Sequence, residues 1–137
     1  MTEEAAIAAK IASFADAAGY EWVDAPILQP AQIYIDQSGE DLRRRTFVFT
    51  APDGEELCLR PEHTIPISRV YLKRSGDQLA PAQFAYDGAV FRQPPAGVVR
   101  AREYRQMGVE RFGGADALAE DAHVFAAALA GCQAADA

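Results

Sequence analysis

Lysine is almost missing from this chain. Only Lys10 and Lys73 stand among 13 basic residues, and the rest are arginines. All but Lys10 fall between Arg43 and Arg111. Arginine concentrated in one region suits directed contacts to carboxylate or phosphate better than diffuse attraction, although a GC-rich genome gives the same bias. With 20 acidic residues the net charge is −7, which argues against general binding to a nucleic-acid backbone. Cysteine is scarce too. Cys58 sits in an apolar run and Cys132 in an Ala-rich tail, with neither metal-ligand spacing nor a disulfide framework, so Cys58 is expected to be a small buried hydrophobe. His63 and His123 are far apart and without a carboxylate cluster, so no metal site is expected. His63 alone suits a surface or packing position, and His123 an exposed face of an Ala-rich helix. A glycine-rich phosphate loop is absent, and so is any Ser or Cys with a base beside it in sequence. No cofactor is expected. There is no apolar run of about 18 residues, and the start MTEEAAIAAK lacks a basic region and apolar core, so the expectation is no membrane and a cytoplasmic location.

What remains is an ordinary globular composition. Of 137 residues, 50% are apolar and 24% charged, enough for one domain spanning 1–137 with a real core. Thr2 can cap a first helix whose first turn carries Glu3 and Glu4, whose apolar stripe is Ile7, Ile11, Phe14 and Ala18, and which Gly19 stops. Short extended pieces are predicted around Glu21–Val23 and Ile33–Ile35. Thr46–Thr50 and Glu56–Arg60 form a hairpin around Pro52-Asp53-Gly54. A second helix starts near Glu62 or Thr64, with Ile67, Val70 and Tyr71 inward. A last helix, about Ala115 to Ala130, places Leu118, Ala122, Phe125 and Leu129 on one apolar stripe. Hairpins with helices before, between and after them predict an α+β fold, an antiparallel sheet flanked by helices.

The segment Tyr86 to Gly113 reads as two strands and a loop. Side chains alternate along a strand, so Arg102, Tyr104, Gln106 and Glu110 share one side, with Gly108 leaving floor space between the last two. Glu103, Arg105, Met107, Val109 and Arg111 take the other side. Arg92 ends the first strand and can stand near Arg102 across the hairpin. Two guanidiniums at a mouth, with an amide and a carboxylate deeper in, suit a small ligand bearing both charge signs. The same alternation also describes a solvated face with ion pairs. Leu59-Arg60-Pro61-Glu62-His63-Thr64 adds a carboxylate and a hydroxyl at a helix entrance, where a carboxylate is usually a cap.

Taken in order, Gly19-Tyr20, Pro26-Ile27-Leu28, LCLRPEHT and FRQPPAGVVRAREYRQMGVERFG resemble the catalytic core of the histidyl-tRNA synthetase family, a class II synthetase fold. The run SGEDLRRRTFVF followed by LCLRPEHTIPISR resembles especially the branch that has lost tRNA charging, the regulatory subunits of ATP phosphoribosyltransferase. The resemblance covers roughly Ala6 to Leu129. It implies that Glu62 and Thr64 hold the α-amino group of histidine, and that Arg92 contacts the substrate carboxylate and, in the synthetases, the ATP α-phosphate. Arg102 is then the return-strand arginine, and Gln106 and Glu110 contact the amino-acid ligand.

The departures bear on function. Synthetases usually carry a glutamate where this chain has Pro94, which supplies neither a carboxylate nor an N–H for ATP positioning. His63 replaces a usually small residue, and the family's later histidine-specific loop and motif 3 arginine are not in this sequence. The resemblance therefore implies a non-catalytic subunit that binds L-histidine and signals to a short-form ATP phosphoribosyltransferase catalytic subunit, rather than tRNA charging by this chain alone. The alternatives are a synthetase-like fragment that binds histidine or ATP, and a structural remnant without ligand. An incomplete sheet leaves an edge to cover, so a homo-oligomer or partner is expected. The motif 1 region, about Tyr20 to Asp36, offers Trp22, Ile33, Tyr34 and Ile35 either to a dimer interface or to the core.

Overall fold

The computed structural model describes residues 2–37, 39–76 and 80–135. The elements are α1 (Glu3–Ala17), β1 (Glu21–Trp22), β2 (Leu28–Pro30), α2 (Ala31–Gln37), α3 (Glu40–Arg45), β3 (Val48–Thr50), β4 (Glu56–Leu59), α4 (Thr64–Ser75), β5 (Ala82–Phe91), β6 (Glu103–Phe112) and α5 (Ala117–Ala134). The strands form two three-stranded sheets, ordered β1-β5-β6 and β2-β4-β3. The chain falls into two compact units, one of Met1–Asp24, Ile67–Asp87 and Met107–Ala137, the other of Ala25–Pro66 and Gly88–Gln106.

The first unit begins with α1. The Thr2 hydroxyl accepts from the Ala5 N–H at 3.3 Å, and Glu3 and Glu4 lie in the first turn, where the helix dipole favours them. Gly19 closes the helix with φ +77. Its N–H reaches the Asp16 carbonyl at 3.1 Å and the Tyr20 N–H reaches Ala15 at 3.0 Å, the paired bonds of a Schellman end. Ala15, Tyr20 and Ala85 form a core cluster joined by Val109. The β1–β5 pairing is parallel, Glu21 opposite Phe84 and Trp22 opposite Ala85, within an otherwise antiparallel-rich fold. Phe112 stacks on Tyr71 with ring centroids 4.4 Å apart.

The closing helix is capped by Asp116, whose carboxylate accepts from the N–H groups of Leu118 and Ala119. Its packing is different. Leu118, Phe125 and Leu129, expected inward, are 80%, 72% and 49% exposed, and the buried residue of α5 is Ala127. An Ala-rich helix is apolar on nearly every side, so periodicity does not choose the inner face. The small alanine face is the one that admits close approach to α1, which α5 contacts.

In the second unit β4 lies between β2 and β3, antiparallel to both, with Cys58 opposite Gln29 and Val48. The predicted β3–β4 hairpin is present. Its turn is closed by Ala51 N–H to Glu55 O at 2.8 Å, with Gly54 at φ +91. The segment Ile33–Ile35, expected as a strand, lies in helix α2. Ala31, Tyr34 and Ile35 stand at i, i+3 and i+4, and all pack with Cys58, so tertiary burial overrides the β-branched preference. Tyr34 is thereby a core residue. Helix α3 has no buried residue and is held by exposed pairs, Arg44–Glu40 at 2.8 Å and Arg45–Asp41 at 3.3 Å.

Candidate functional site

β4 ends at Leu59 and α4 begins at Thr64, so Arg60, Pro61, Glu62 and His63 make the turn between them. Backbone and side-chain bonds fasten this turn. The Arg60 N–H donates to Ile27 O at 2.9 Å and its carbonyl accepts from the Phe91 N–H at 3.0 Å. Pro61, which has no N–H, accepts through its carbonyl from Arg92 Nε at 2.7 Å. Arg60, Pro61 and His63 are all buried.

Glu62 caps α4, its two carboxylate oxygens 3.1 and 3.3 Å from the Ile65 N–H. A carboxylate accepts about four hydrogen bonds, so capping leaves capacity for a ligand. Thr64 is exposed at the first position of α4. Arg92 is half-buried, and its guanidinium lies over the Tyr104 ring, 5.6 Å from the centroid. The Arg92 N–H donates to Arg102 O at 2.9 Å, which brings the two arginines together at the hairpin mouth. Gln106 follows on β6, with a buried Oε1 that has no donor among the described residues. These five residues belong to the second compact unit, whereas Glu110 is a half-buried residue of the first.

The Arg45 contact and the filled space at Gly108 lay beyond the sequence, whereas a packing place for His63 and the burial of Cys58 were among its expectations. His63 is a packing histidine, with Nε2 3.3 Å from Gly88 O. The space left by Gly108 is filled rather than open, because a Cβ there would collide with the Tyr86 hydroxyl. Arg45 joins the hairpin mouth through its carbonyl, which accepts from the Gln93 N–H at 2.7 Å. Cys58 is fully buried, and burial pushes its thiol up to about 11. Among the described residues, no group of three or more His, Cys, Asp or Glu side chains could hold a metal ion, and no helix is long and apolar enough to cross a membrane.

The histidyl-tRNA synthetase family profile matches residues 1–137, and the chain belongs to that family. Two solved structures superpose on nearly all of it. A protein of Bacillus halodurans described as an ATP phosphoribosyltransferase regulatory subunit/histidyl-tRNA synthetase is 26% identical with a TM-score of 0.83, covering 97% of this chain and 34% of its own. A histidine–tRNA ligase subunit of Alicyclobacillus acidocaldarius is 24% identical with a TM-score of 0.78, covering 98% and 38%, and supports the fold alone. The fold is that of a partial class II synthetase core.

Within the family, the chain is similar to proteins named ATP phosphoribosyltransferase regulatory subunit. Those of Brucella ovis and Brucella melitensis biotype 1 are each 45% identical over 109 residues, 80% of this chain. The matched region spans 28% of those relatives' own length.

Proposed function

We propose that this chain acts as part of a non-catalytic regulatory subunit of ATP phosphoribosyltransferase, binding L-histidine and conveying that binding to a short-form catalytic subunit. The observation that carries the proposal is the 45% identity to relatives that bear the regulatory-subunit name. Pro94 in place of the ATP-loop glutamate agrees with a role without adenylate chemistry.

In this reading Glu62 and Thr64 take the α-amino group, Arg92 with Arg102 the carboxylate, and Gln106 with Glu110 the remaining polar end. The arginines supply planar forks for a carboxylate and Glu62 the opposite charge for an ammonium. Regulation is linkage. Histidine binds one assembly state more tightly than another, and that difference biases the catalytic partner. Such a regulator would work beside a cytoplasmic biosynthetic enzyme. The outer edge of β6, last in the order β1-β5-β6, would pair with further polypeptide or a second copy.

Isothermal titration of L-histidine into the protein, with Glu110→Ala as control, tests the proposal. Saturable binding that the substitution abolishes is the expected result. Equal affinity in the folded variant overturns the site, and no binding by the parent chain overturns histidine sensing by this region.

A further inference from the structure

Arg60 is a charged residue that the ligand scheme leaves without a role, yet it is only 3% exposed. Its Nε donates to the Ala89 carbonyl at 2.8 Å and its Nη1 to the Ala25 carbonyl at 2.5 Å. The side chain therefore spans from the segment before β2 to the C-terminal part of β5. Removing a guanidinium from water is unfavourable unless hydrogen bonds replace its solvation. A planar fork with several fixed donors can bind two separate carbonyls at once, which a single lysine ammonium on a flexible stem does poorly.

Gly88 is shaped to this side chain. A Cβ at Gly88 would stand 2.5 Å from Arg60 Nη2 and 3.3 Å from His63 Cε1. The missing side chain is what lets the guanidinium lie against β5. The backbone on either side then continues the attachment, Arg60 O accepting from Phe91 and Pro61 O from Arg92 Nε. Arg60 thus lies one and two positions before the residue that anchors Arg92 and the residue that caps α4.

We propose that Arg60, seated by Gly88, is a positioning residue. It clamps the Pro61–Glu62 turn to β5 and thereby sets Glu62 and Arg92 at a fixed separation. The proposal rests on reading those two residues as ligand-binding groups, and its test separates the two claims.

Hydrogen exchange followed by NMR in the parent chain, R60K and G88A would report Arg92 Nε–H and the Ile65 N–H that Glu62 caps. R60K keeps the charge, while G88A displaces an intact arginine, so neither depends on deleting the group. Expected in both is exchange at these two hydrogens faster by about 10- to 100-fold, the effect of losing one hydrogen bond to a charged group, with β3–β4 amides unchanged. Unchanged exchange at both sites in the folded variants overturns the clamp, whether or not histidine binds. L-Histidine titration is the second arm. R60K should weaken binding by about tenfold alone but by no more than about twofold in an E62Q background, the non-additivity of residues acting through one another. Full additivity would mean that Arg60 acts only on general stability. If the parent chain binds no histidine, the ligand reading fails and the exchange data alone decide the clamp.

Discussion

Arg92 Nε donates to the Pro61 carbonyl at 2.7 Å, so the arginine that opens the β5–β6 loop is tied to the turn that leads into α4. A side chain proposed to meet a carboxylate is thus already oriented through one nitrogen, and ordering it on binding costs less entropy.

Arg92→Lys removes both the fork and the anchor. A hydrogen bond to a charged group contributes about 1.5–3 kcal/mol, so L-histidine affinity should fall by about 10- to 100-fold by isothermal titration. Affinity within about twofold of the parent would remove Arg92 from the site.

Glu62 separates capping from binding. Glu62→Gln keeps an acceptor for the Ile65 N–H, whereas Glu62→Ala loses it. Thermal unfolding should show Glu62→Gln near the parent and Glu62→Ala lower by about 0.5–2 kcal/mol. Both should weaken histidine binding by about 10- to 100-fold, because neither presents a negative charge to an ammonium.

Arg111 and Glu120 predict an acid-dependent loss of stability. Arg111 Nε donates to the Glu120 carboxylate and Nη1 to Gln83 Oε1 at 2.5 Å. That guanidinium holds the Glu120 carboxyl below its ordinary value of 4.5, while the hydrogen bond to Glu120 raises Arg111. A carboxyl lowered in the folded state contributes stability that is present above the unfolded value and lost as pH falls through the folded value. Denaturant unfolding from neutral pH to below 4.5 should therefore show a steeper loss in the parent than in Glu120→Gln. Parallel curves would show that the pair contributes nothing.

The exposed face of α5 and the buried face of α1 should respond differently to substitution. Phe125→Ser alters a residue that is 72% exposed and should shift stability by no more than about 0.5 kcal/mol. Ala15→Leu enlarges a buried residue in the cluster with Tyr20 and Ala85 and should cost about 1–3 kcal/mol. Chemical denaturation checks both, and a large loss for Phe125→Ser would place that ring inside the fold.

The thiols give an independent check on burial. Cys58 is buried with its thiol raised to about 11, whereas Cys132 is exposed. Near neutral pH a thiol reagent should modify Cys132 alone in the folded chain and both cysteines in denaturant. Rapid modification of Cys58 without denaturant would contradict its place in the core.

Local signals in the sequence were sufficient for much of this fold. Thr2 and Gly19 bound α1, and Pro52-Asp53-Gly54 turns the β3–β4 hairpin, each through a bond made within a few residues. The Glu62 cap was legible for the same reason. Tertiary contact decided the rest. It turned Ile33–Ile35 into helix against Cys58, selected Ala127 over Phe125 as the inward side of α5, filled the space at Gly108 with Tyr86, and bound Arg60 to Ala25 and Ala89. Caps and turns are set by bonds between near neighbours, whereas burial depends on which distant segments meet.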